Sequence, residues 1–224
     1  LDFFGFHKLP NHSLRVPGER FLTAFGGSPS NSFLGYYIPG LKNASADDLH
    51  NDRSGMTVRK QQGIIWGKDP NHYSGAQRRL MLSAVADKVT LISTAKVKVF
   101  DHPNIKWIGH QTREQWSDLL RESKFMIGLG DPLLGPSAID AISHGCVYLN
   151  PVYDKPIRDG NFASQHPYAA DKIGDPYVCS MKISEINSVL RCVNKAVSST
   201  LPPVVLVDFT EEAYIDRVKA IFGL

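Results

Sequence analysis

From residue 63 onward, short apolar runs alternate with amphipathic stretches, the pattern of βαβ units feeding a mostly parallel sheet. Strands are expected at residues 63–67, 89–95, 105–109, 125–130, 147–149 and 177–179. The run 125–130 (Phe-Met-Ile-Gly-Leu-Gly) is almost continuously apolar, which predicts a central strand buried on both faces. Helices are expected over 76–86, 113–122, 136–144, 183–197 and 211–222. Leu80, Leu82, Val85 and Ala86 recur at helical spacing in the first, and Trp116, Leu119 and Leu120 form the apolar stripe of the second. In the fourth, Ile186, Val189, Leu190, Val193 and Val197 share one face. Thr112 followed by Gln115 is a capping box, Pro136 suits a first helical turn, and Gly145 suits the position just past a helix end.

Residues 1–62 follow a different pattern. Two strand candidates, 21–25 and 33–38, flank the turn-rich Gly26 to Asn31, and a polar stretch over 42–62 reads as a surface loop with one helical turn. The expected organisation is a connector over 1–62 and a Rossmann-like domain with C-terminal helices over 63–224, without internal repeats.

Composition narrows the class. A chain of 224 residues is one large α/β domain or two small ones, and 42% apolar with 21% charged residues excludes disordered and coiled-coil chains. The balance of 25 Lys and Arg against 22 Asp and Glu argues against a dedicated nucleic-acid surface. No apolar run approaches the ~18–20 residues of a membrane span. The start, LDFFGFHKLP, has no Met, basic n-region or apolar h-region, which reads as a processed or partial chain. Cys146, Cys179 and Cys192 lack C-x-x-C spacing, so a structural zinc is disfavoured. In an oxidising lumen Cys146 would pair with Cys179 or Cys192; otherwise the three are small buried apolar residues. Asn11-His12-Ser13 and Asn43-Ala44-Ser45 fit the N-glycosylation rule.

In an open parallel sheet, ligands bind beyond the carboxyl ends of the strands, so three post-strand segments are candidate sites. The first is Gly67-Lys68-Asp69, where Lys68 is placed to meet a diphosphate. The second runs from Gly128 through Gly130 to Gly135-Pro136-Ser137; its glycines admit a ligand close to backbone, and the following helix start offers amides to phosphate. It has neither the G-x-G-x-x-G spacing of a dinucleotide site nor the G-K-[ST] ending of a P-loop. The third, 150–172, holds Lys155, Arg158, Ser164, Gln165, His166 and Tyr168 as binding candidates, although His166 by itself reads as a structural hydrogen-bonder. The eight His are scattered and no D-x-D is present, so no metal chemistry is expected.

The ordered set Asn31-Ser32-Phe33-Leu34-Gly35, Gly67-Lys68, Leu119 to Glu122, Gly128-Leu129-Gly130, Gly135-Pro136, Ala141-Ile142, His144-Gly145-Cys146, Leu149-Asn150-Pro151 and Ser164 to Ala169 resembles the carboxyl half of the α-1,6-mannosylglycoprotein 6-β-N-acetylglucosaminyltransferases, the N-acetylglucosaminyltransferase V family. The resemblance runs from about Pro10 to the C-terminus. It implies the Rossmann-like donor domain of a B-type (GT-B) glycosyltransferase. Its members add N-acetylglucosamine from UDP-N-acetylglucosamine in β1,6 linkage to a mannose of N-glycans, inverting the anomeric centre without a metal ion. They are type II membrane proteins of the Golgi, so any anchor would lie outside this chain.

The resemblance also implies that Lys68, Lys155 and the amides around Gly135 to Ser137 meet the leaving UDP, and that the catalytic base belongs to an amino-terminal domain this chain does not cover. Two positions depart from the pattern. Leu134 stands where the family has Glu before the Gly-Pro pair, and Asp140 replaces a helix Glu. The alternative reading is a diverged, non-catalytic lumenal protein with weak or no UDP-sugar binding; an epimerase is disfavoured by the missing dinucleotide fingerprint.

Overall fold

The computed structural model describes residues 22–26, 32–39, 59–129, 133–157 and 162–224. Two compact units are present: Leu1–Ser54 together with Val205–Leu224, and Gly55–Val204. The units thus divide at 54/55 and 204/205, and the helix at the C-terminus groups with the N-terminal segment. Asn11, Asn43 and most of the polar stretch 42–62 lie outside the described residues.

In the first unit, β1 (Leu22–Thr23) and β2 (Ser32–Phe33) form a short parallel ladder instead of the longer strands expected at 21–25 and 33–38. The ladder ends because the Leu34 and Gly35 amides both donate to Thr23 O and Gly35 turns away at φ +75°, a conformation that favours glycine. Phe25, Tyr36 and Phe209 pack as a ring cluster, with Tyr36 and Phe209 4.9 Å apart. Arg217, on the helix Glu211–Phe222, lies 4.4 Å over the Phe33 ring and donates to Leu34 O at 2.8 Å. These contacts explain why a C-terminal helix joins an N-terminal segment.

The second unit is the α/β domain. Its elements are β3 (Gln62–Trp66), α1 (Ala76–Ala86), β4 (Thr90–Ser93), β5 (Ile105–Trp107), α2 (Arg113–Glu122), β6 (Phe125–Gly128), α3 (Pro136–Ser143), β7 (Val147–Ile157), β8 (Phe162–Ser164), β9 (Val178–Lys182) and α4 (Ile186–Ser198). The parallel strands lie in the order β5-β4-β3-β6-β7-β9, with β8 antiparallel to the outer part of β7. This is the doubly wound order, with its switch point between β3 and β6. Both switch-point strands are buried throughout, as their apolar runs require. Side chains alternate across the sheet: Ile65, Leu91, Phe125, Ile127, Val147 and Leu149 join one core cluster with Met81, Leu82 and Val85 of α1 and Val189 and Val193 of α4. Helix α3 adds the buried Ala138, Ile139, Ala141 and Ile142 outside that cluster.

Three expectations are corrected. The strand predicted at 147–149 continues to Ile157 and pairs with β8, so the described part of the polar excursion 150–172 holds a two-stranded ribbon followed by a π turn, Ala169–Ile173. Its outer half is exposed, and the Pro and charged residues that masked it are those tolerated at a sheet edge. The helix expected from 183 starts at Ile186 because β9 runs on to Lys182. Finally, the disulfide joins Cys179 of β9 to Cys192 of α4, whose Cα atoms are 5.7 Å apart. Cys146 is a buried free thiol whose Sγ, with one proton to give, lies 3.0 Å from Leu120 O and 3.3 Å from Ser123 O.

Candidate functional site

At the carboxyl edge of the sheet, beside the switch point, lies a cavity of about 240 Å³. Each wall comes from a post-strand turn or a helix start. Trp66 ends β3 and Lys68 follows it; Thr94 and Lys96 follow β4. His110, Gln111 and Thr112 come after β5, Arg113 and Trp116 from α2, and Ser137 and Asp140 from α3.

The start of α2 is fixed by the predicted capping box: Thr112 Oγ1 accepts from Gln115 N, and Gln115 Oε1 accepts from Thr112 N at 2.9 Å. Arg113 and Trp116, three residues apart, therefore present to the same side. Trp116 shares the cavity lining with Asp140, and its indole Nε1–H, its one polar donor, favours the charged form of that carboxyl. Burial raises the Asp140 carboxyl to a pKa of about 6, against the opposing pull of Arg113 and of the Trp116 indole. Trp116, expected in an apolar stripe with Leu119 and Leu120, instead lines the cavity.

Helix α3 starts after Gly135 with no side-chain cap; Pro136 has no N–H and Ala138 N donates to Gly135 O, so the Ser137 N–H and the positive dipole end mark its start. The turn before it is braced from behind. Leu134 N donates to Gln165 O at 3.1 Å, Gln165 N to Pro151 O, and Tyr153 Oη to Gln165 Oε1 at 2.9 Å. His166 N donates to Asn150 Oδ1, and His166 Nδ1 accepts from Ala169 N. Complete burial drives the His166 pKa down to about 3, so this imidazole stays neutral. Leu134 itself is buried at φ +56°, a left-handed backbone conformation unusual for a non-glycine residue, and it does not line the cavity.

Of the candidates named from sequence, the structure brings Lys68, Ser137 and Asp140 together in the cavity lining. Gly67 and Pro136 are chain neighbours of lining residues and Gly135 is two residues from Ser137, without lining it themselves. Gln165 and His166 are buried behind the turn, Lys155 is exposed on β7, and Gly130, Arg158, Asn11 and Asn43 lie outside the described residues. Sequence reasoning missed Trp66, Thr94, Lys96, His110, Gln111 and Arg113, all of which stand at carboxyl ends of strands or just after them, where the same rule could have found them. Among the described residues, no group of three His, Cys, Asp or Glu side chains could hold a metal ion, and no helix is long and apolar enough to cross a membrane.

Comparison with known proteins gives the same family as the motifs. The α-1,6-mannosylglycoprotein 6-β-N-acetylglucosaminyltransferase A of Homo sapiens and that of Rattus norvegicus are each 28% identical over 96% of this chain and 30% of their own length. The B enzyme of Mus musculus is 23% identical over 90% of this chain and 27% of its own. The chain thus spans about 30% of the length of these relatives. Among solved structures, a glycotransferase of kitacinnamycin aligns with a TM-score of 0.48 at 10% identity, over 91% of this chain and 49% of that one. The family model for glycosyltransferase family 18 matches residues 8–223, nearly the whole chain, and the chain belongs to that family.

Proposed function

We propose that the cavity is the donor site of a glycosyltransferase that takes N-acetylglucosamine from UDP-N-acetylglucosamine and links it β1,6 to a mannose of N-glycans on glycoproteins. The observation that carries this reading is the charge pattern at the switch point: Lys68, Lys96 and Arg113 converge from three post-strand segments on a cavity that also holds the start of α3. A nucleoside diphosphate presents the matching anion. The relatives, mannosylglycoprotein N-acetylglucosaminyltransferases, suggest the transferred sugar and the acceptor class.

When the sugar leaves, negative charge grows on the β-phosphate, and the two lysines with the Ser137 N–H and the positive end of the α3 dipole stabilise it. Because these cations are side chains, no metal ion is needed for that role. Asp140 accepts a ribose hydroxyl. A mannose hydroxyl attacks the anomeric carbon from the face opposite UDP, inverting it, and gives its proton to a carboxylate base. Among the described residues Asp140 is the carboxylate in the cavity lining, and with that group on the ribose the family resemblance assigns the base to an amino-terminal domain, so this chain alone is expected to bind donor without turning it over. The Cys179–Cys192 disulfide and the two sequons favour an oxidising lumen, here the Golgi.

Calorimetry with UDP tests the donor reading. Saturable binding is expected, and Lys68→Ala and Lys96→Ala are each expected to weaken it about 10-fold, equivalent to ~1.4 kcal/mol. Absence of saturable heat at millimolar UDP overturns it. The buried Leu134, in the place of the family Glu, favours a second reading as a diverged member that binds donor weakly or not at all. The same titration separates the two, and a glycosyl-transfer assay showing turnover by this chain alone would overturn the claim that its base lies elsewhere.

A further inference from the structure

The two lysines that line the cavity come from different turns, and a buried chain of hydrogen bonds joins those turns. Tyr73 ends the 3-10 turn Pro70–Tyr73, which Asp69 caps by accepting from Asn71 N at 2.8 Å and which Arg78 holds by donating to His72 O at 2.9 Å. Its ring is fully buried. Tyr73 Oη donates to Gly67 O at 2.7 Å and lies 2.6 Å from Ser93 Oγ, which accepts from Ala95 N at 3.2 Å. A hydroxyl has one proton to give, so the direction is settled: Ala95 N–H to Ser93 Oγ, Ser93 O–H to Tyr73 Oη, Tyr73 O–H to Gly67 O. Gly67 precedes Lys68; Ala95 stands between Thr94 and Lys96. Burial pushes the Tyr73 phenol to a pKa of about 12, which keeps the donor proton in place.

We infer that Tyr73 is a positioning residue for diphosphate recognition: through Gly67 and Ser93 it holds the Lys68 turn and the Thr94–Lys96 turn at one spacing. The inference rests on the donor reading of the cavity. The lysine stems are flexible, so the backbone spacing of the two turns decides whether both ammonium groups reach one diphosphate without an ordering cost. A hydroxyl pair inside the sheet edge is also expensive to leave half-made, which ties the two turns cooperatively.

The test is calorimetry with UDP and UMP on the whole chain, for wild type, Tyr73→Phe, Ser93→Ala and the double variant. Removing the phenol oxygen should weaken UDP about 10-fold and UMP less than about 3-fold, because the second phosphate is the group that the paired lysines hold. Ser93→Ala should do the same, and the double variant should lose no more than either single one, since both break one chain. Equal weakening of UDP and UMP, or no weakening, overturns the inference while leaving the donor reading intact. If wild type shows no saturable UDP binding, the donor reading falls and the inference with it. Should Tyr73→Phe unfold, Ser93→Ala alone carries the comparison, since it removes the link and keeps the ring.

Discussion

Asp140→Asn is expected to make the chain more stable and a poorer nucleotide binder at once, with the stability gain confined to one side of a pH window. Burial raises the folded-state carboxyl to about 6 from an ordinary value of 3.8, so between those values the folded chain binds more protons than the unfolded one. The site therefore costs nothing below pH 3.8, its penalty grows as pH rises, and it is complete above pH 6. At pH 7.5 that penalty is about 1–3 kcal/mol, after allowance for water at the cavity mouth. The amide keeps an oxygen for the Trp116 indole and removes the charge, and Arg113 is solvated enough to lose its neighbour cheaply. Urea midpoints of wild type and variant should differ at pH 7.5 and converge below pH 4. A variant less stable at pH 7.5 would mean that Arg113 and Trp116 more than offset the burial. For binding the sign reverses. A charge-assisted hydrogen bond from a ribose hydroxyl to the carboxylate is worth about 1.5–3 kcal/mol, so UDP should bind ~10–100-fold more weakly and the preference for UDP over 2′-deoxy-UDP should shrink with it. Unchanged UDP affinity would remove Asp140 from the donor site. Stability given up at a cavity carboxylate is the usual mark of a group retained for function.

The parallel core was legible because burial on both faces leaves little room for polar residues: β3 and β6 are apolar runs that could be read directly. Helix α2 was legible for a different reason, since Thr112 and Gln115 satisfy backbone amides by themselves and so mark the start locally. The outer half of β7 was not. Asp154, Lys155 and Pro156 look like a loop, and only pairing with β8, a tertiary event, makes them a strand.

The cavity was legible in part. Lys68, Ser137 and Asp140 follow from the rule that ligands sit beyond strand ends. Lys96 and Arg113 obey the same rule but carry no glycine or proline signature, and Trp116 has the spacing of a core residue because indole is both apolar and a donor. Gln165 and His166 show the converse. Their hydrogen-bonding capacity suggested contact with a ligand; in the structure Gln165 O accepts from Leu134 N, and His166, which by itself read as a structural hydrogen-bonder, is tied to Asn150 and Ala169. Sequence separation of about 30 residues hides the bond to Leu134. The left-handed φ of Leu134 was equally hidden, since leucine gives no hint of such a conformation.

Arg59→Ala is expected to cost about 3–5 kcal/mol, more than a half-buried arginine usually carries, because one guanidinium closes the ends of two helices. Nη1 donates to Leu120 O at 3.1 Å and Ser123 O at 2.8 Å at the end of α2, and Nη2 donates to His144 O at the end of α3. Terminal helix carbonyls have no partners inside their own helix, and a planar fork of donors meets several at once where an ammonium meets fewer. The positive charge also lies at the negative ends of both dipoles. Gly145 lets the backbone close onto the guanidinium: it sits at φ +80°, and a Cβ there would come within 2.6 Å of Arg59 Nη2, 2.7 Å of Leu201 O and 2.9 Å of Pro202 O. Arg59→Lys should therefore recover less than half of the loss. Urea unfolding at constant m-value measures both variants. A second readout is the Cys146 thiol, which lies 3.8 Å from Nη1 and is pushed to a pKa of about 12 by burial. In wild type it should resist thiol reagents until the domain opens; in Arg59→Ala labelling should accelerate as the two helix ends fray. A loss below about 1 kcal/mol with unchanged Cys146 protection would show that water replaces the guanidinium at these carbonyls, and that the two helix ends are held by packing alone.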